Sequence, residues 1–335
     1  MPEKSDQITL AISRPSVVKI VLFGLILAAI IYLRYLIVTI FIAFILASFA
    51  KYFANLIKRR YGIPYTTSLI VTFLTVTIII ISSILLLFPI IIKEGYGLFQ
   101  ILTDFLRQFE TQLSSIGISL DIEGLKQFKN LIPNLGQVTL GLVGIFGQLL
   151  TYMFLILVLG FYIAIDKTGV FTIVRLCVPT HIKDDIPTIV NRLQYHIGKW
   201  AFVEGVIALI MAIFMYSILA ILGIEYAVLL SLFTGIGQLI PFIGPIIVGL
   251  IIILYAFAQS PLLGVAIIVL IVALQIIKQT LLLPIVFHTV KRNNPLLIVM
   301  ALMVGGVIAG PLGVIIAMPV VSLARIMYAD IQYYD

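Results

Sequence analysis

Residues 226–257 read YAVLLSLFTGIGQLIPFIGPIIVGLIIILYAF, an apolar run interrupted by Gly235, Gly237, Gln238, Pro241, Gly244 and Pro245. A straight helix of this length would be about 48 Å long, and fitting it into a ~30 Å hydrocarbon core would need a tilt near ~50°, beyond the usual ~0–40°. Proline removes a backbone donor and clashes with the preceding turn. Non-helical backbone survives at membrane depth only against protein or a water-filled cavity. The run therefore predicts a re-entrant hairpin or a discontinuous helix. Residues 295–323 repeat the pattern, apolar but broken by Gly305, Gly306, Gly310, Pro311, Gly313 and Pro319.

Each broken segment follows a plain apolar helix, at 200–222 and 262–284, so 200–326 reads as a transport unit of two repeats. If both broken segments return to the side they came from, the two units have inverted topology, as in many secondary transporters. Lys278, Lys291, Arg292 and Arg325 then all lie toward the cytoplasm. If both segments span instead, there are eight simple spans and Lys291 and Arg292 fall outside. The sequence leaves both readings open.

Composition sets the solvent. The chain is 62% hydrophobic and 10% charged, with a mean hydropathy of +1.23, against about 45–50% apolar and about 25% charged in soluble domains. The expected fold class is an all-α, polytopic integral membrane protein with about six to eight membrane segments, two of them broken and arranged as an inverted repeat. The net charge of +7 is placed where the positive-inside rule puts it, with Lys58, Arg59 and Arg60 between two spans. It points to a membrane rather than to nucleic acid. Cys177 is the only cysteine, which excludes intrachain disulfides.

The expected organisation is a cytoplasmic N-terminus at 1–16 and N-terminal membrane helices over 17–92. Within these, 17–33 and 36–53 form a hairpin turning near Arg34 and Tyr35, the first span is retained, and a long third span starts at Pro64. Residues 93–136 are expected to be an extracytoplasmic amphipathic helical segment. Leu98, Ile101, Leu102, Phe105 and Phe109 recur there at helical spacing, and the charges over 93–134 give a net of minus one. A membrane helix at 137–165, a basic cytoplasmic loop at 166–199 and a cytoplasmic tail at 327–335 complete the order. Both termini are expected to be cytoplasmic in a multi-pass protein of the cell membrane.

Few residues offer chemistry. Pro241 and Pro245 free backbone carbonyls and Gly244 allows close approach, so polar backbone and half-helix ends are available at mid-membrane. Gln238, beside the break, adds a donor and an acceptor. Gly305, Gly306, Gly310 and Pro311 are the corresponding binding candidates in the second segment. Glu204 and Lys278 are ionisable residues in apolar helices, hence candidates for a charge pair or coupling site, with Gln275 on the polar face of Lys278. In the hairpin reading the two charges share the cytoplasmic half of the bilayer. The packing alternative has Lys278 snorkelling to an interface. His181, His196 and His288 are scattered without metal-ligand spacing, no glycine-rich phosphate loop is present, and no protease constellation stands out. No metal, cofactor or enzymatic activity is expected.

The stretches GIGQLIPFIGP at 235–245 and ALMVGGVIAGPLGVIIAMP at 301–319 resemble the signatures of the autoinducer-2 exporter family of bacterial and archaeal permeases. Gly223, Tyr226 and Ala227 precede the first motif at the expected spacing, and Gln275, Leu282, Pro284, Val290, Pro295 and Leu296 lie between the two. The likeness is strongest over 194–326. It implies export of a small polar signalling molecule of autoinducer-2 type, and in some members exchange of sodium or lithium for protons. Two positions depart from the pattern: Lys278 stands where the family often has an acidic residue, and Gln238 where an Asn is common. Cation coupling through the acidic position is therefore not carried over.

The expected function is a secondary transporter or facilitator exporting a small solute. The alternatives are a cation (Na+/Li+)/proton antiporter on the same fold and a non-transporting scaffold that binds partners through 93–134. Expected partners are a small-molecule solute and the lipid bilayer, with a homo-oligomer left open.

Overall fold

The computed structural model describes residues 31–115, 135–166, 168–177, 183–240, 243–282, 284 and 295–334, together with a few positions between 21 and 28. The helix expected at 17–33, the segment 116–134, Pro241, and Lys291 with Arg292 fall largely or wholly outside the described residues. All the regular structure described is helical. In chain order the helices are α1 (Arg34–Tyr61), α2 (Tyr65–Ser115), α3 (Leu135–Ile165), α4 (Gly169–Cys177), α5 (Ile186–Ile221), α6 (Ala227–Gln238), α7 (Ile243–Gln259), α8 (Pro261–Ile277) and α9 (Pro295–Tyr334).

Five helical stretches are long and apolar enough to cross a bilayer: Arg34–Tyr61, Tyr65–Gln112, Phe146–Ile165, Ile186–Ile221 and Pro261–Leu282. Their outer faces carry large exposed side chains such as Ile78, Leu86 and Phe154, a surface suited to lipid tails. Helix α1 is the central strut and packs on α2, α3, α5 and α9. Its contact face is made of small residues, with Ala43, Ala47, Ser48, Ala50 and Ala54 all fully buried. Such residues let backbones approach, which is how helices associate where lipid is as apolar as leucine. Opposite them, a methyl on Gly198 of α5 would lie 2.2 Å from the carbonyl oxygen of Ser48. Helix α1 ends where Gly62 takes φ 68° and returns its N–H to Lys58 O, a left-handed glycine cap.

Several boundaries differ from the sequence reading. Helix α2 is continuous over 51 residues, through Pro89, about 77 Å at 1.5 Å per residue. The third span and the amphipathic segment up to Ser115 are thus one helix, with no break at residue 92. A single proline in a long apolar helix removes one hydrogen bond without supplying any alternative fold for the chain. Helix α5 likewise begins at Ile186, with a proline in its first turn, where proline fits. Residues 186–199 of the expected basic loop are therefore its first turns. Short α4 occupies the loop's beginning, capped by Asp166 Oδ1, which accepts from the backbone N–H groups of Thr168 and Gly169, each at 2.9 Å. These two bonds, aided by Lys51, hold the Asp166 carboxyl below the usual range.

Both glycine- and proline-broken segments double back. In the first, Tyr226 and Tyr255 meet edge to face with ring centroids 5.5 Å apart, while at the other end α6 and α7 touch through Gly237 and Gly244. The arms therefore run antiparallel, α6 ending in a turn at residues 239–240. At 12 and 17 residues they are only about 18 and 26 Å long. In the second, helical geometry breaks at Ala309 (φ −138°) and Gly310 (φ 61°), the latter a backbone conformation that favours glycine. A methyl on Gly313 would lie 1.9 Å from Gly305 O. Ile298 and Leu302 before the break pack with Ala317 after it.

Candidate functional site

Helix α6 is held at both ends by charged side chains from other helices. At its start, Glu94 of α2 accepts a hydrogen bond from Leu229 N at 3.2 Å. That carboxylate satisfies one of the orphan N–H groups of the first turn and complements the positive end of the helix. At its far end, next to the hairpin turn, Gln238 Oε1 accepts from Lys278 Nζ at 2.5 Å. Lys278 opens a π-helical turn, Lys278–Leu282, that continues α8. Wide turns of this kind recur at functional sites.

Gln238 is 0% exposed and its Nε2 has no hydrogen-bond partner. A buried amide nitrogen left unpaired costs roughly 1–3 kcal/mol, so the position is held against a penalty. The side chain lines a cavity of about 10 Å³ together with Met211, Met215, Thr234, Pro245 and Gln275, about the room one water needs. The rest of the wall is aliphatic, from α7 and α8. Glu204 of α5, 9% exposed, and Lys278 lie within coulombic range of each other. The lysine's hydrogen bond nevertheless goes to Gln238 and not to the carboxylate.

The structure thus brings together part of the expected set. Gln238, Pro245 and Gln275 share the cavity wall, Lys278 joins through Gln238, and Glu204 joins through charge. Gly244 sits behind the wall at the crossing with Gly237. Pro245 is the third residue of α7, in the first turn, where a proline leaves the helix intact. Pro241 lies outside the described residues. Gly305 and Gly306 pack against Gly313 and Val314 in the second hairpin. Gly310 forms its break, and Pro311, whose side chain is not described, starts the second arm. Helix α9, which carries that hairpin, packs on α1 and α5 and does not line the cavity.

The sequence reading missed Thr234, Met211 and Met215 in the cavity wall, Glu94 as the α6 cap, and Gly237 and Gly313 as the partners of Gly244 and Gly305. The available signal was glycine spacing, seven residues in one hairpin and eight in the other. A second bond of the same type was also missed. Lys51 Nζ of α1 donates to Gln194 Oε1 of α5 at 3.0 Å, leaving the Gln194 Nε2 buried and unpaired. Among the described residues no group of His, Cys, Asp and Glu is placed to hold a metal ion.

Helices of spanning length, two folded-back half-helix pairs and a buried polar cluster between helices define a polytopic membrane permease. The comparison with protein families agrees. The AI-2E family transporter model matches residues 20–332, and the chain belongs to that family. Over 311 residues it is 23% identical to a Bacillus subtilis protein named "Putative transport protein YueF", covering 88% of this chain and 84% of that one. It is 28% identical over 107 residues to YrrI of the same organism, covering 32% of this chain and 30% of that one. It is 27% identical over 140 residues to sll0060 of a Synechocystis strain, covering 42% and 40%. Both carry the same kind of transport-protein name. The protein is a transporter in its class, with no enzymatic chemistry implied.

Proposed function

We propose that this permease exports a small polar solute through the cavity beside the α6–α7 hairpin, and that both hairpins re-enter the bilayer as an inverted repeat. The observation that carries the reading is Gln238: wholly buried at the hairpin turn, bonded through its oxygen to Lys278, and with its amide nitrogen unspent. A donor kept unpaired beside a cavity is one a passing solute can use. The short arms of the first hairpin support its re-entry, since neither α6 nor α7 reaches across a ~30 Å core. Both termini and the 166–199 region are assigned to the cytoplasm on the positive-inside rule, and 93–136 to the other side. Cysteine accessibility at Asp121→Cys, after Cys177 is replaced, tests the assignment. Labelling only from the cytoplasmic face would overturn it.

The functional test is flux in proteoliposomes with a panel of labelled metabolites. Gln238→Leu should abolish flux while the protein still elutes as a folded species. Undiminished flux in that variant would remove Gln238 from the path. The Glu204 and Lys278 charges favour a second reading, sodium or lithium exchange for protons. A proton flux driven by an imposed lithium gradient, and lost in Glu204→Gln, would establish it.

A further inference from the structure

Lys278 fixes which way the Gln238 amide points. An ammonium can only donate, so the amide oxygen faces Nζ and Nε2 is turned away from it. The hydrogens of Nε2 are claimed by no described protein atom. Two more side chains with nitrogen or oxygen atoms line the same cavity, Thr234 and Gln275. Thr234 precedes Gln238 by four residues on α6 and so shares its face. Gln275 stands across from them on α8, three residues before Lys278.

These groups differ in what they can still do. The Thr234 hydroxyl gives its hydrogen to Leu230 O at 2.9 Å and keeps only lone pairs for the cavity. Gln238 Nε2 offers only hydrogens. Gln275 supplies an acceptor oxygen and a donor nitrogen. An occupant must therefore accept from one side chain and donate to another. A bare cation has no use for Nε2, and a halide has none for the Thr234 lone pairs. Water does both, and the volume of about 10 Å³ is about the room one water needs. Buried water typically makes about three hydrogen bonds, and three polar side chains are here to make them.

We infer that this cavity is a binding site for a single water molecule, which accepts from Gln238 Nε2, donates to Thr234 Oγ1 and completes its bonds on Gln275. The water joins α6 to α8 and satisfies a wholly buried amide beside the Lys278 bond. It does so whether or not a solute passes here.

Met211 and Met215 of α5 give the site a reporter. Both are buried and both line the cavity. Hydroxyl radicals formed in bulk water do not reach them, whereas a water held in the cavity yields radicals beside their sulfurs under an X-ray pulse. The test is radiolytic footprinting of the full-length protein in detergent, with catalase present and oxidation read by mass spectrometry. Wild type should show oxidised Met211 and Met215. Thr234→Val and Gln275→Leu, each removing one partner of the water, should lower that yield severalfold. Thr234→Ser, which keeps the hydroxyl, should retain it. Size-exclusion profiles identify the folded variants. A wild-type cryo-EM map that resolves ordered waters is the second measurement, expected to show a density peak within hydrogen-bond distance of Nε2, and it decides if no variant folds. Either an absent peak or unoxidised methionines in wild type would overturn the water site, and so would a yield unchanged in folded Thr234→Val and Gln275→Leu. Flux in proteoliposomes is a separate readout, so failure here leaves the transport reading standing.

Discussion

A methyl group at Gly244 would sit 1.9 Å from the carbonyl oxygen of Gly237, 2.7 Å from its carbonyl carbon and 3.0 Å from its Cα. All three are backbone atoms, so no side-chain rotation relieves the clash. Reaching an ordinary carbon–oxygen contact means opening the α6–α7 crossing by more than ~1 Å, and overpacking of this kind typically costs about 1–3 kcal/mol. Gly249, five residues along the same helix, is the internal control. Its added methyl would meet only Ile271 side-chain carbons, at 3.6 and 3.9 Å, ordinary contact distances, and alanine is the better helix former by up to ~1 kcal/mol. Gly244→Ala should therefore lower the apparent melting temperature in detergent by several degrees relative to Gly249→Ala, read by size-exclusion after heating. Because Gln238 and Pro245 lie on either side of this crossing, it should also abolish flux in proteoliposomes. A Gly244→Ala protein as stable as Gly249→Ala, and with unchanged flux, would refute the close crossing and with it the geometry of the site.

Glu94→Gln removes the charged cap on Leu229 N, and a loss of about 1 kcal/mol should appear as faster amide exchange in the first turn of α6. Lys278→Met and Glu204→Gln should each impair stability or flux, since either leaves a lone charge behind. The double variant should recover part of the loss, and strict additivity in that cycle would argue against coupling. Asp166, whose carboxyl is held below its ordinary range by its two backbone bonds, stabilises α4 above the unfolded-state pKa and stops doing so as pH falls through the folded one. Amide exchange in α4 should rise only on that acidic descent. Asp166→Asn, which keeps an acceptor, should flatten the response.

Much of the architecture was legible because the membrane simplifies the code. Runs of apolar residues marked α1, α3, α5 and α8, and the proline and glycine clusters marked both breaks while leaving open whether the segments fold back or span. Helix ends were less legible. Residues 93–115 carry charges, and that fall in hydropathy suggested a boundary at 92. A fall in hydropathy does not end a helix, however, and α2 runs on through these residues to Ser115. The same confusion set the start of α5 at Trp200, fourteen residues after Ile186. In the site, Gln238, Gln275 and Lys278 stood out as polar positions in apolar helices. Their partners did not, because the Lys278–Gln238 bond joins residues 40 apart in the chain and Glu94 reaches Leu229 across 135 positions. The π-helical turn at Lys278 left no mark in composition either.

The two lysine–glutamine bonds suggest why a carrier is built this way. Lys51 with Gln194 and Lys278 with Gln238 each tie an ammonium on one helix to a neutral amide oxygen on another. A charge-assisted bond of this kind contributes roughly 1.5–3 kcal/mol, whereas removing one partner of a buried ion pair costs about 3–5 kcal/mol. Two conformations can interconvert under a ligand only if the contacts broken are within reach of its differential binding energy. Lys278 has both kinds of partner near it: Gln238, which it holds, and Glu204, which it does not. A lysine bonded to the neutral amide rather than to the carboxylate can release that partner without breaking an ion pair.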